Sequence, residues 1–298
     1  MTTLSKKLPI GHISALLTIL IWGTTFISTK VLLETFSPIE ILFIRFLIGF
    51  IALAILYPQR LKFTNWKNEW LFIGAGASGI TFYYLLENIA LTMTTASNVG
   101  IIITIAPFFT ALLSSIFLKT ERPGKHFYFG FVVAIIGIVL ISYNSNQSPE
   151  LNPMGDFLAL SASIMWAVYS IFTRKISEIG HNTIQTTRRV FFYGLLFMLP
   201  LLFIMDFHID IKQFDSGVTI GNILFLGLGA SALCFVTWNF AIRVLGAIKT
   251  SVYIYLVPVI TVATSVIVLQ EPLTLTLVIG AVLTLTGLWL SESGYTKL

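Results

Sequence analysis

Residues 11–33, GHISALLTILIWGTTFISTKVLL, and residues 155–177, GDFLALSASIMWAVYSIFTRKIS, are the two stretches on which the fold turns. Each is apolar over the roughly 20 residues that a helix needs to cross a bilayer. They also match: Gly11, Trp22 and Lys30 correspond to Gly155, Trp166 and Arg174 at a constant offset of 144, which Arg45 and Arg189 continue. With small insertions the series runs on through Gly74, Gly76 and Ser78 against Gly227, Gly229 and Ser231, then Asn88, Ala90, Ala96 and Pro107 against Asn239, Ala241, Ala247 and Pro258. Gly130 and Gly137 against Gly280 and Gly287 complete it. Chance supplies isolated pairs among so many apolar residues, but not a colinear series. The chain therefore reads as a duplication, with halves 1–148 and 149–298.

The rest of the chain has the same character. Of its 298 residues 56% are hydrophobic and 10% charged, with a mean hydropathy of +0.90, whereas a soluble domain carries about 25% charge. Apolar runs between polar breaks predict an all-α polytopic membrane protein with ten spans, near 11–33, 39–57, 70–91, 97–118, 126–143, 154–174, 184–206, 219–241, 249–268 and 274–291. The connections left over are too short for a soluble catalytic domain. The first run follows Lys6 and Lys7 but reaches Leu33 without a small-residue cleavage site, so it reads as a retained span rather than a signal peptide. Numbered alternately, the loops place Lys6, Lys7, Arg60, Lys62, Lys67, Lys119, Arg122, Lys125, Arg174, Lys175, Arg243, Lys249 and Lys297 on one side and only Lys30 and Lys212 on the other. Lys and Arg are retained on the cytoplasmic side, which predicts an inner-membrane protein with both termini cytoplasmic. The net charge of +5 is then a topological signal, and no basic run interleaved with aromatics points to nucleic acid. Five spans is an odd number, so the second half is expected to lie inverted relative to the first, as in alternating-access carriers.

Several residues inside the spans carry possible chemistry. Pro107 and Pro258 fall near the middle of spans 4 and 9, where each removes an amide donor and predicts a kink or an opening. Interrupted spans at matching positions point to a midplane site, although proline also bends membrane helices for packing alone. Trp22 and Trp166 sit at the midpoints of spans 1 and 6, away from the interfaces where membrane tryptophan collects. Either a polar cavity receives their N–H groups, or they pack between helices. Thr25 and Thr29 share the face of Trp22, and Tyr169 and Thr173 share that of Trp166. Glu87 and Asn88 lie in the outer third of span 3, and Arg45 about two turns into span 2. Three uses are open to Glu87: proton carrier, anchor for a substrate ammonium, or counter-ion for Arg45. Asn98, Thr104 and Tyr253 near the prolines, with Tyr83, Tyr84, Trp238 and Asn239 on spans 3 and 8, complete the candidate substrate-binding set. Tyr253 and Tyr255 cannot share a helix face, so at most one of them faces a cavity.

Other features read as structural. Gly74-Ala75-Gly76-Ala77-Ser78-Gly79 fits a dinucleotide pattern but lies in a span, where small residues serve close helix packing. Glu121 and Glu271 follow spans 4 and 9 and are expected to cap a helix or hold a gate. The only cysteine is Cys234, and His12, His126, His181 and His208 lack ligand spacing, so no metal or other cofactor is expected.

The pieces Trp22-Gly23-Thr24 to Lys30, Ser37-Pro38, Arg45-Phe46, Ala90-Leu91, Thr95-Ala96-Ser97, Pro107, Glu121, Trp166, Arg174-Lys175, Leu245-Gly246-Ala247, Val257-Pro258 and Glu271-Pro272 stand in an order that resembles the EamA family of the drug/metabolite transporter superfamily. The resemblance covers essentially the whole chain. It implies a ten-helix basket whose cavity is lined mainly by spans 1, 3, 4, 6, 8 and 9 and which moves amino acids or other small metabolites, often outward. Thr120 and Gln270 depart from the glycine of the family pattern, and Glu87 has Trp238 as its repeat mate. The expectation is a permease or exporter in the lipid bilayer, monomeric or weakly dimeric, with purines, aromatic amines and drugs as alternative solutes. No Walker A sequence offers ATP coupling. An intramembrane enzyme would need a nucleophile-and-base or metal set within the spans, and a scaffold has no use for an inverted repeat.

Overall fold

The computed structural model describes residues 8–118, 124–144, 153–205 and 207–293. Glu121, Lys6, Lys7, Lys119, Arg122, Lys297 and the 148/149 boundary lie outside them. Each apolar run is helical: α1 (Leu8–Leu32), α2 (Pro38–Leu56), α3 (66–93), α4 (Ala96–Phe117), α5 (Lys125–Asn144), α6 (Pro153–Glu178), α7 (Thr183–Ile204), α8 (Gly217–Leu245), α9 (Ala247–Val268) and α10 (Leu275–Ser293). Seven of these are long and apolar enough to cross a membrane, namely α1, α2, α4, α6, α7, α8 and α9, while Lys125–Leu140 and Leu275–Leu290 are shorter apolar stretches. Large apolar side chains such as Ile55, Phe203 and Trp289 point outward at 72%, 87% and 66% exposure, which suits lipid and not water.

Helix ends follow local chemistry. Ser37 caps α2 in a reciprocal box, its hydroxyl accepting from the Glu40 amide while the Glu40 carboxylate accepts from the Ser37 amide, with Pro38 in the first turn. Lys30 donates to the carbonyls of Leu91 and Thr94 at 2.6 and 2.9 Å, capping the end of α3. Gly246, at φ +89°, is the single residue between α8 and α9, a turn open to glycine and strained for other residues.

The packing repeats when the halves are exchanged. α1 lies against α8 and α9, and α6 against α3 and α4; α2 packs on the middle of α8, and α7 on the middle of α3. The middles of α3 and α8 are π-helical, over Gly76–Phe82 and Phe225–Leu233, at corresponding places in the two halves. Hydropathy gives no sign of these π segments, because they leave the apolar run intact. The glycine run on α3 serves packing: a Cβ on Gly76 would lie 2.7 Å from the Gly194 amide nitrogen, and one on Gly74 would meet the Phe172 ring.

α5 and α10 pair closely at the end of each half. A Cβ on Gly137 would sit 2.6 Å from the Gly280 carbonyl oxygen and 2.7 Å from the Thr284 nitrogen. Gly137→Leu should therefore separate α5 from α10 and cost about 1–3 kcal/mol, read as a lower thermal midpoint of detergent-purified protein. An unchanged midpoint would show that the pair is loose.

Candidate functional site

Pro107 and Pro258 break their helices at matching places. α4 divides into α4a (Ala96–Ile103) and α4b (Ala106–Phe117), with Pro107 in the first turn of the second piece. α9 passes through a 3-10 segment, Val252–Leu256, before Val257–Val268 begins with Pro258 in its first turn. The break in α4 tightens into short bonds, the Thr104 and Ile105 amides donating to Ile101 and Ile102 at 3.1 Å. α4a packs on the second piece of α9, and α4b on its first piece.

Between these breaks lies a cavity of about 30 Å³, room for roughly two waters. From α1 come Ile19, Trp22, Thr25 and Phe26; from α3, Tyr83, Tyr84 and Glu87; from α6, Trp166; and from α4 and α9, Ile103, Ile254 and Val257. Six of the thirteen residues expected at the site meet here: Trp22, Thr25, Tyr83, Tyr84, Glu87 and Trp166. The rings form a nest. Trp22 and Trp166 stand edge to face with centroids 5.1 Å apart, Tyr83 is 4.9 Å from Trp166, and Tyr84 is 4.6 Å from Tyr83. Such offset arrangements are the favoured aromatic geometry.

The two central tryptophans differ in their partners. The Trp22 indole donates to the Ala230 carbonyl at 2.9 Å, inside the π segment of α8. The Trp166 indole nitrogen, in a residue 3% exposed, has no protein partner. Both rings pack against other rings and line the cavity, but the Trp22 N–H goes to a backbone carbonyl and not to the cavity. The hydroxyls of Thr25 and Thr173 donate back to the carbonyls of Trp22 and Tyr169 at 2.7 and 2.8 Å.

Glu87 is 1% exposed. Its carboxylate Oε1 has no protein partner. Arg45 is equally buried, yet no ion pair joins the two among the described residues. Arg45 Nε donates to Ser231 at 3.1 Å, its guanidinium lies 4.4 Å from the Tyr84 ring centroid, and both terminal nitrogens lack partners. A cation over an aromatic face gains electrostatic stabilisation.

The other expected residues are engaged elsewhere. Asn88 donates to the Pro38 carbonyl at 3.1 Å, Asn98 to the Thr94 hydroxyl at 3.2 Å, and Thr104 to the Ile101 carbonyl. Tyr169 donates to Asn239 at 2.8 Å, and Asn239 donates to Thr187 at 3.0 Å. Trp238 stacks behind Trp22 at 5.1 Å. Tyr253 meets the His12 ring nitrogen at 2.6 Å, off the cavity wall. Phe235 was the residue to add: it touches Phe46, Phe191, Trp22 and Tyr169 and forms the hub of the cluster. The offset that joins Asn88 to Asn239 also makes Phe235 the mate of Tyr84, a signal present in the sequence.

A larger depression of about 570 Å³ lies between the ends of α2 and α7, with Arg60, Arg188 and Arg189 on its rim. Arg188 donates to the Tyr57 and Gln59 carbonyls, while Arg189 binds the Leu61 carbonyl and Glu69, which the Tyr193 hydroxyl also contacts. These arginines hold the α2–α3 loop. Among the described residues no group of three or more His, Cys, Asp or Glu could hold a metal ion.

Glu271 reaches across the halves. Its carboxylate accepts from the Ala96 and Ser97 amides at 2.8 and 3.1 Å and from the Ser97 hydroxyl at 2.6 Å, at the N-terminus of α4a. Gln270 before it has φ +55°, the one non-glycine residue in the left-handed region among those described. The carboxylate satisfies orphan amides and meets the positive end of the helix.

The family model of the EamA-like transporter family matches residues 9–143 and again 153–292. The chain belongs to that family of the drug/metabolite transporter superfamily; it is a multi-pass membrane transporter and not an enzyme. An uncharacterised transporter of Archaeoglobus fulgidus is 28% identical over 277 residues, 92% of this chain and 95% of the relative. A probable amino-acid metabolite efflux pump of Escherichia coli is 26% identical over 287 residues, 94% of each chain. A solved crystal structure at 20% identity has the same fold, with a TM-score of 0.67 over 97% of this chain and 99% of that one.

If Glu271 latches α4a, its loss should open a way to the cavity wall. In a Cys234→Ala background carrying Ile103→Cys, Glu271→Ala should raise the rate of reaction with a small impermeant maleimide about tenfold, as expected for losing charged hydrogen bonds. An unchanged rate would mean that other contacts hold α4a.

Proposed function

We propose that this transporter carries small organic metabolites such as amino acids by alternating access of two inverted five-helix repeats, without ATP hydrolysis. The observation that carries the reading is the pair of helices broken at Pro107 and Pro258, which face each other beside an aromatic cavity. Broken helices at corresponding positions are how carriers build a midplane site. The exchange-symmetric packing of α1 on α8 and α9, and of α6 on α3 and α4, supports the repeat. In this reading all ten helices span, and α5 and α10 close the bundle as mates. The small cavity corresponds to an occluded arrangement, and Glu271 at α4a is a latch on one mouth. The similarity to a probable amino-acid metabolite efflux pump of Escherichia coli supports the solute class and an outward direction.

Counterflow in proteoliposomes tests the mechanism. A carrier preloaded with unlabelled solute accelerates uptake of labelled solute with no ATP present, which neither an enzyme nor a scaffold does. Trp166→Phe should keep the amount of folded protein while changing the ranking of a panel of amino acids, purines and aromatic amines. Loss of folded protein alone would assign Trp166 to packing.

The Lys and Arg distribution supports a topology with both termini in the cytoplasm. In a Cys234→Ala background, Lys212→Cys should react with an impermeant maleimide in intact cells, and Lys62→Cys only after permeabilisation. The reverse pattern would invert the assignment.

A further inference from the structure

The walls of the aromatic cavity are unbalanced in charge. Glu87 is the one acidic or basic side chain among the cavity-lining residues, is 1% exposed, and keeps carboxylate Oε1 without a protein partner. Five aromatic rings, those of Trp22, Phe26, Tyr83, Tyr84 and Trp166, line the same space. Arg45 forms no part of the lining: its Nε is on Ser231, and its guanidinium lies 4.4 Å from the centroid of the Tyr84 ring that does line it. The cavity thus offers an acceptor and several π faces to a cation. To an anion it offers no guanidinium or ammonium.

Hydrogen-bond capacity points the same way. The Thr25 hydroxyl is already donated to the Trp22 carbonyl, and the Trp22 indole to Ala230. The Trp166 N–H is the indole donor that lines the cavity without a partner. The donors on the wall, the Trp166 N–H and the Tyr83 and Tyr84 hydroxyls, are all neutral and bring no positive charge to a desolvated carboxylate, whereas a carboxylate with aromatic faces stabilises a desolvated ammonium.

We infer that the solute is a compact organic amine cation lacking a carboxylate, with its ammonium on Glu87 and its apolar body against Trp22 and Trp166. This narrows the solute class of the proposed carrier and rests on that reading for the cavity's role. Within the small metabolites proposed above it favours amines over amino acids, whose carboxylate would need a cationic group on the cavity wall.

Three probes sharing one ring isolate the charge: phenethylamine, phenylalanine and phenethyl alcohol, each titrated by tryptophan fluorescence against the full chain in nanodiscs. Phenethylamine should bind about tenfold or more tightly than the other two, an ion-pair and cation–π preference. Glu87→Gln should abolish that preference, and Glu87→Asp should retain part of it. Equal binding of the three probes, absence of binding, or tighter binding of phenylalanine would overturn the inference, and so would a preference that survives Glu87→Gln. If Glu87→Gln does not fold, the native ranking together with Glu87→Asp still decides. Counterflow with the same probes keeps the two readings apart. Phenylalanine exchange without phenethylamine exchange sinks the amine and leaves the carrier, whereas selective phenethylamine binding without exchange of any solute sinks the carrier and leaves the amine site.

Discussion

A peptide group left open in hydrocarbon costs several kcal/mol, and besides Pro200 inside α7 the described helices α3, α4, α8 and α9 depart from regular α-helical bonding at four matched places. Two are the proline breaks at Pro107 and Pro258, and two are the π segments at Gly76–Phe82 and Phe225–Leu233. All four occur in helices that contact α1 or α6, so protein covers one face of each while Phe82, Leu228, Leu233 and Leu256 stay exposed on the other. Side chains reach several carbonyls nearby: Trp22 that of Ala230, Thr81 that of Gly194, and Thr261 that of Gly23. The arrangement of the whole bundle follows from the need to bury irregular backbone, and the cavity is the place where that burial leaves a gap.

The two halves share a plan but not a charge pattern. Arg189 on α7 pairs with Glu69 at 2.7 Å. Its mate Arg45 has no such acid, because position 222, which corresponds to 69 at the offset joining Gly74 to Gly227, is asparagine. Arg45 is left to the Tyr84 face and Ser231. Likewise Glu87 has the apolar-bodied Trp238 as its mate. Polar groups that pair off on the α7 side are left unpaired around α2 and α3, so chemistry is concentrated on one flank of a pseudo-symmetric scaffold.

Hydropathy and the internal repeat made most of the architecture legible. The apolar run read at 219–241 became Gly217–Leu245, and the one at 70–91 became 66–93, so length and position followed from composition. What stayed hidden depended on distant partners. Nothing local to Trp22 indicates that the Ala230 carbonyl receives its N–H, and nothing near Glu271 names Ala96 and Ser97 as its donors. Asn88, Asn98 and Thr104 looked like cavity residues because they are polar in apolar runs, yet Asn98 and Thr104 are consumed by a hydroxyl and a carbonyl close by, and Asn88 spends its amide on Pro38 and keeps Oδ1 without a protein partner. Polarity within a span signals a needed partner, and only packing decides whether that partner is solute or protein.

The same logic explains why the cavity is small. In the proposed alternating-access cycle one state has both mouths shut, and a shut state walled by aromatic rings packs ring against ring. Edge-to-face contacts among Trp22, Trp166, Tyr83 and Tyr84 supply part of what a solute would otherwise contribute. Glu87 opposes that packing, since a buried carboxylate oxygen without a partner favours any arrangement that brings water or a donor to it. A wall that is content when closed, and one group on it that is not, gives the bundle a reason to open.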